Sequence, residues 1–197
     1  MILNSIKNAL SRAKTPILIV AAVYFLSVTI GIAMVHSHNQ FALSYRDKLV
    51  SDAQSGTVLT QKTDLLQGLA DFGGNSLGAV VDSFLGFGIV LPYPLVIYRG
   101  WVGGIVSVDY NHVSRLIHPT EAAYYLSVLF LQLLGFSLAA GAGIRAGLAV
   151  FNARPKDSGF WWFKVPKQAV KDLLWIWVLI IPIFLTASLW EFLSPWR

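Results

Sequence analysis

Residues 72–108 constrain the fold more than any other part of the chain. This glycine-rich stretch carries only two charged side chains, Asp82 and Arg99. A single straight helix of this length would measure ~55 Å, far more than the ~30 Å hydrocarbon core of a bilayer, whereas two full spans would need ~40 residues and a turn. The stretch therefore predicts a hairpin of two short helices that is broken at its prolines, with arms at 73–91 and 94–108.

The composition is typical of an integral membrane protein. Hydrophobic residues make up 55% of the 197 residues and charged residues 13%, about half the charged fraction of a soluble domain. The first apolar run follows a basic N-terminal region, as in a secretory signal. However, the run is ~20 residues long and lacks a small-residue cleavage site, so we interpret it as an uncleaved first span.

Hydropathy and amphipathic spacing predict one membrane domain, an all-α polytopic helical bundle of about five spans that includes the broken hairpin. The predicted segments are an interfacial N-terminal helix at 1–15, a first span at 16–35, an outer amphipathic segment at 36–71, the hairpin at 73–91 and 94–108, a long span at 121–150, a cytoplasmic interfacial segment at 152–172 and a last span at 173–193. Within 36–71, small residues at 55–57 separate two amphipathic helices.

The distribution of positive charge selects among the topologies. With five spans, nine Lys and Arg residues fall inside and five outside; with four spans, the outer side holds the larger number. Cytoplasmic segments are enriched in Lys and Arg, so the five-span topology is favoured. It predicts a cytoplasmic N-terminus and an outer C-terminus. Because Lys and Arg cluster at segment ends, membrane topology accounts for the net charge of +5, and nucleic-acid binding is not predicted.

Asp82 lies in a stripe of small residues. Gly74, Gly78, Asp82 and Gly86 recur every four residues and share one helix face. Such stripes let helix backbones approach closely, so Asp82 is expected to face protein or a polar cavity rather than lipid. Either the carboxyl is protonated or hydrogen-bonded and holds helices together, or it marks an intramembrane functional site.

The other candidate residues have structural explanations of their own. Arg99 and Arg145 fall near the predicted cytoplasmic boundary, where snorkelling explains them. Pairing with Asp82 would require Asp82 to lie nearer that boundary than the predicted helix lengths place it. Glu121 begins its helix, where the helix dipole favours a carboxylate. Further glycine stripes on the long span and on the second hairpin arm predict a tight bundle or a dimer face.

Several functional classes find no support in the sequence. There is no cysteine, which excludes disulfides and thiolate metal sites. Phosphate loops, nucleophile elbows, zinc-protease motifs and dinucleotide fingerprints are absent, so neither an enzyme nor a cofactor is predicted. A metal site would require the polar connection at 109–121 to fold over the bundle, and a solvated loop is the simpler interpretation. The residues concerned are Asp109, His112, His118 and Glu121.

Three sequence elements resemble the stage II sporulation protein M family of integral membrane proteins. The first is Asn75 followed by small residues to Gly88, and the second is Tyr-Arg-Gly-Trp-Val-Gly at 98–103, which is similar to the family's Asn-Gly-x-x-Gly. The third is His-Pro-Thr-Glu at 118–121 with the glycine run at 141–147, similar to the family's Pro-His-Gly…Glu element and closing glycines. Arg99 replaces the usual Asn, and the His-Pro order is reversed.

The resemblance implies a five-span protein that anchors or assembles partners in a prokaryotic plasma membrane. In spore-forming bacteria, the family's namesake works with cell-wall-degrading partners during engulfment. The expected function is therefore a membrane scaffold or assembly partner, with the lipid bilayer and other proteins or a second copy as partners. The alternative is a small channel or secondary transporter for a cation or small solute that uses the broken hairpin and Asp82.

Overall fold

The computed structural model describes residues 2–152, 159–160 and 165–196 of the chain. The described part is helical apart from connecting turns, an isolated bridge and one two-stranded ladder, in which Gly159 pairs with Pro166 and Phe160 with Val165. The elements in chain order are α1 (Ile2–His36), α2 (Gln40–Gln54), α3 (Asp64–Gly86), α4 (Pro92–Ile105), α5 (Pro119–Phe151), β1 (Gly159–Phe160), β2 (Val165–Pro166) and α6 (Lys167–Leu193).

Local chemistry explains where four of the helices begin. The side chain of Asn39 accepts from the Ala42 backbone N–H at 3.1 Å, and that of Thr63 accepts from the Leu66 N–H at 3.3 Å. Both residues satisfy amide donors that the first turn of a helix leaves without partners. Helices α4 and α5 begin at Pro92 and Pro119, where the missing N–H of proline costs nothing and its fixed φ suits the helix.

Three helices are long and apolar enough to cross a bilayer, namely α1, α5 and α6. Their presence supports the prediction of a helical membrane protein. Helix α3 has 23 residues and carries three carboxylates, and α4 has only 14 residues. At 1.5 Å per residue, α4 extends about 21 Å.

The bundle has two distinct ends, which we call the basal end and the cap end. The Arg12 side chain of α1 binds Asp172 of α6, so the first turns of both helices lie at the basal end. The last turns of α3 and α5 also meet there, where Gly147 packs on the Phe87 backbone. At the cap end, Val35 of α1 packs with Ile105 of α4. Successive helices α1, α3, α4, α5 and α6 therefore alternate in direction.

The hairpin breaks earlier than its prolines imply. The predicted break lies at 91–94, whereas helix α3 ends at Gly86 and the turn occupies 87–91, before Pro92. Glycines at 86 and 88 weaken the helix end, and the Ile89 N–H bonds to the Gly86 carbonyl at 2.8 Å with Ile89 at φ 60°. The two arms lie against different helices, because α4 packs mainly on α1 whereas α3 packs on α5 and α6.

Several other predicted boundaries also differ. The interfacial helix at 1–15 and the span at 16–35 form one helix, because Ala9, Ala13 and Val20 bury the same face in the core. The amphipathic leucines after residue 63 belong to the first turns of α3. Helix α6 begins at Lys167, inside the predicted interfacial segment 152–172. The aromatic cluster predicted at the headgroup level lies mostly outside the described residues.

A folded cap covers one end of the bundle. It consists of α2 and the connection at 106–118, which is folded back on itself by an isolated bridge between Val108 and Ser114. Buried Ala42 and Leu43 of α2 pack against the ends of α1 and α4. Because both segments bury apolar side chains on the bundle, the cap forms part of the same domain.

Candidate functional site

Asp82 of α3 is buried in the interior of the bundle. Its side chain is 0% exposed, so it faces protein, as the four-residue stripe predicts. One turn further along the same stripe, Gly86 packs directly on Gly143 of α5. The close backbone contact between α3 and α5 encloses the carboxyl group without leaving lipid on that side.

Arg99 of α4 forms an ion pair with Asp82. Its Nη1 donates to Asp82 Oδ2, and the guanidinium carbon lies 4.1 Å from the centroid of the Phe136 ring of α5. Gly78 of α3 supplies the space, because a Cβ at this position would lie 2.8 Å from Arg99 Nη2. A pair that is also stacked on an aromatic ring combines a charge-assisted hydrogen bond with a cation–π contact.

The ion pair overturns the snorkelling explanation of Arg99. That explanation places Asp82 near the middle of a helix extending to residue 91. Because α3 ends at Gly86, Asp82 lies only one turn from the end of α3 and within reach of the Arg99 guanidinium. The pairing therefore follows from the early helix end.

One oxygen of the buried carboxyl lacks a hydrogen-bond partner. Asp82 Oδ1 is buried and accepts no hydrogen bond within the described part of the chain. A carboxylate can accept about four hydrogen bonds, so the pair with Arg99 leaves acceptor capacity unused. Tyr24 of α1 is 2% exposed and close enough to interact electrostatically with both charges.

The remaining predicted site residues lie elsewhere. Asn75 donates to Asp71 Oδ2 at 2.7 Å, and Ser188 of α6 donates to the same oxygen at 2.7 Å. These contacts join α3 to α6 nearer the cap end. Glu121 is exposed in the first turn of α5, and Arg145 is half-buried near the last turns of that helix. Of the five candidates, only Asp82 and Arg99 contact each other.

A second ion pair, with a buried carboxylate and an exposed arginine, was not predicted from the sequence. Arg12 donates from Nε to Asp172 Oδ2 at 2.7 Å and from Nη2 to Oδ1 at 2.6 Å. Gln168 adds a hydrogen bond to Oδ1 at 2.8 Å, and the Asp172 side chain is only 2% exposed. The signal in the sequence was a carboxylate between Lys171 and the apolar run that begins at Leu173.

Two histidines at the cap end, His36 of α1 and His112 of the connection at 106–118, make hydrogen bonds to neighbouring side chains. His36 Nε2 lies 2.7 Å from Ser114 Oγ, and His112 Nε2 lies 3.0 Å from Asp47 Oδ2. The Arg46 guanidinium donates to Asp47 at 3.0 Å and holds the pKa of that carboxyl below its usual value; His112 acts in the same direction. Within the described ranges, no three metal-ligating side chains converge.

No family model matches the chain, and neither a curated protein nor a solved structure matches it. The site is therefore interpreted from its own chemistry. A paired carboxylate and guanidinium carry no net charge and can cross-link helices. A further ligand would have to use the unpartnered Asp82 oxygen.

Proposed function

We propose that this chain is a five-span scaffold or assembly partner for other proteins in the plasma membrane of a prokaryote. Its N-terminus is cytoplasmic, and its C-terminus and cap lie outside. The observation that carries the proposal is the folded cap, which presents large apolar side chains beyond the ends of the long apolar helices. The resemblance to the stage II sporulation protein M family points to the same class of function.

The interior of the bundle suits a rigid support. Gly31 of α1 lies against the α4 backbone, where an added Cβ would be 2.5 Å from the Trp101 carbonyl oxygen. Gly86 of α3 lies equally close to Gly143 of α5. Close backbone packing at several helix pairs, together with the two ion pairs that bury Asp82 and Asp172, opposes relative movement of the helices.

The cap is fixed to this support by specific contacts. The Trp101 ring of α4 packs against two rings of α2, with centroid distances of 5.8 Å to Phe41 and 5.0 Å to Tyr45. His112 joins the connection at 106–118 to α2 through Asp47. A partner bound to the cap would therefore meet a surface that the membrane bundle holds in place.

Apolar side chains remain exposed on the cap. Phe41 is 65% exposed, Tyr110 78% and Ile117 64%. Large apolar side chains that an ordered surface leaves exposed are candidates for contact with a partner. Lipid can cover such residues on the spans, whereas residues of a cap outside the hydrocarbon core require another protein or the headgroup layer.

Site-specific photo-crosslinking in intact cells tests the proposal. A photoreactive amino acid in place of Phe41, Tyr110 or Ile117 is expected to capture one defined protein. The same amino acid in place of Phe25 or Phe130, which are 65% and 60% exposed on α1 and α5, is the matched control and should capture only lipid or background proteins. Capture of nothing above background at all three cap positions would contradict the scaffold function.

One observation favours the alternative of a small channel or secondary transporter. The unpartnered Asp82 oxygen lies beside a broken hairpin, and interrupted helices in membranes often line a binding site. In this alternative, a cation or proton would compete with Arg99 for the carboxylate. The pairing of Asp82 with Arg99 and the close glycine contacts around it favour the scaffold instead.

A further inference from the structure

A cavity at the cap end of the bundle has features of a binding site that the scaffold function does not use. Its volume is about 120 Å³, and it lies among α4, α5, α6 and the connection at 106–118. Gly103 and Glu191, each two residues from the end of its helix, line it. This volume holds several water molecules or a small polar headgroup.

The cavity wall carries charges of both signs. The Arg115 guanidinium makes no hydrogen bond or ion pair with another side chain in the part of the chain that the structure describes, and Arg115 is half-buried. Glu191 of α6 contributes a carboxylate that accepts from the Gln132 amide of α5 at 3.1 Å. Arg115 and Glu191 line the same cavity without pairing with each other.

The rest of the wall is apolar. Val128 and Leu129 of α5 contribute aliphatic surface. The Tyr125 ring also lines the cavity, and its hydroxyl donates to the Gly103 carbonyl oxygen at 2.6 Å. The Tyr124 hydroxyl donates to the Glu191 carbonyl oxygen at 2.7 Å. Because these donors are already satisfied within the protein, Arg115 remains the group available to fix a ligand anion.

We propose that this cavity binds the phosphate–ammonium headgroup of a zwitterionic amphiphile, with the phosphate on Arg115 and the ammonium facing Glu191. Guanidinium groups bind phosphate oxygens with paired, charge-assisted hydrogen bonds. The negative charge of Glu191 disfavours a headgroup that carries only anionic charge and favours one that also carries a cation. The apolar wall accommodates the part of the ligand that follows the phosphate.

The position of the cavity agrees with a lipid as the source of this headgroup. The ends of α4 and α6 lie at the level of the cap, where the apolar helices end. Lipid phosphates lie at this boundary between hydrocarbon and water. A soluble molecule with the same phosphate and ammonium groups shares the recognition chemistry, so the experiment includes both.

Native mass spectrometry of the full-length protein in detergent tests the assignment. The probes are phosphatidylethanolamine, phosphatidylglycerol and free phosphoethanolamine. The unsubstituted protein is expected to retain phosphatidylethanolamine in preference to phosphatidylglycerol. Arg115→Gln should weaken its retention by about tenfold or more, since a charge-assisted contact is lost. Glu191→Gln should remove the preference between the two lipids.

Arg145→Gln is the matched control, because it removes an arginine of α5 that does not line the cavity. Arg115→Lys should keep part of the binding, and thermal unfolding shows whether each variant is folded. The proposal is overturned if Arg115→Gln binds like the parent, if folded Arg115→Lys binds no better than Arg115→Gln, or if the parent binds both lipids equally. Free phosphoethanolamine binding as tightly as the lipid would support the chemistry and assign a soluble ligand.

Discussion

At the scale of single residues, two buried carboxylates of the bundle each form an ion pair with an arginine. Asp82 and Asp172 are almost fully buried, and each binds an arginine from another helix. A lone charge inside a membrane is costly, and pairing reduces that cost. Each pair joins two different helices, and removing one member leaves its partner charged and without compensation.

Replacement of Asp82 tests this interpretation. Asp82→Asn should lower the free energy of unfolding by about 3 kcal/mol, because Arg99 then remains as an unpaired charge. The double variant Asp82→Asn, Arg99→Gln should recover part of that loss. Equilibrium unfolding in mixed detergent, followed by tryptophan fluorescence, measures the four members of this double-mutant cycle.

Ion flux in reconstituted vesicles, measured on the same proteins, separates the two proposed functions. A scaffold should give only background flux for the parent and for Asp82→Asn. A cation or proton flux that the parent supports and Asp82→Asn abolishes would contradict the scaffold function and favour the transporter.

In the double-mutant cycle, additive losses of unfolding free energy for the two single variants would show that Asp82 and Arg99 do not stabilise each other.

At the scale of helices, glycine contacts decide how closely the elements approach. Helix α3 has glycines in two different environments. Gly86 meets the α5 backbone, whereas a Cβ built at Gly74 finds no atom within 4 Å. Both positions belong to the predicted small-residue stripe, but in the described part of the chain only Gly86 of these two packs against another helix.

These two glycines of the same helix make a matched pair of variants. In Gly86→Ala, the new Cβ would lie 2.5 Å from the Gly143 carbonyl carbon. Because neither backbone can yield locally, we expect destabilisation of ~1–3 kcal/mol. Gly74→Ala should be neutral or stabilise α3 by up to ~1 kcal/mol, since alanine favours the helix.

Thermal unfolding in detergent measures both variants against the parent. A lower midpoint for Gly86→Ala alone is the expected result. A larger loss for Gly74→Ala would show that its open face is covered, most simply by a second copy of the chain. Equal midpoints for all three proteins would contradict the close contact between α3 and α5.

At the scale of the whole molecule, the alternating direction of five helices is compatible with five crossings. Three of these helices have the length and hydropathy of spans. The two others, α3 and α4, run between the same ends but are less apolar or shorter. Their crossing therefore depends on how the bilayer adapts around a short α4.

Single cysteines in this cysteine-free chain distinguish five crossings from three. Impermeant thiol reagents applied to intact cells should label Phe41→Cys and Tyr110→Cys, which lie on the cap. Lys7→Cys and Val90→Cys should react only after permeabilisation. Val90 lies in the turn between α3 and α4 and is 67% exposed, so its access reports on the hairpin.

The outcome at Val90→Cys decides the number of crossings. If α3 and α4 stayed on the outer side, Val90→Cys would be labelled together with the cap positions. Labelling of Lys7→Cys from outside, with the cap protected, would instead reverse the orientation expected from the positive charges.

The sequence by itself determined the class of fold, most of the helices and the direction in which Asp82 faces. These properties depend on hydropathy, on a period of about four residues and on capping groups, all of which are local. The break near Pro92 was also predicted, although its position was not, because the preceding Gly-Phe-Gly already ends α3.

Only the tertiary structure decided which charges meet. The Asp82–Arg99 pair required α3 to end early, and the Arg12–Asp172 pair joins residues at opposite ends of the chain. The cavity at Arg115 depends on three helices and a connection meeting at one level. Such features arise from the distances between packed elements, which the local pattern of residues does not contain.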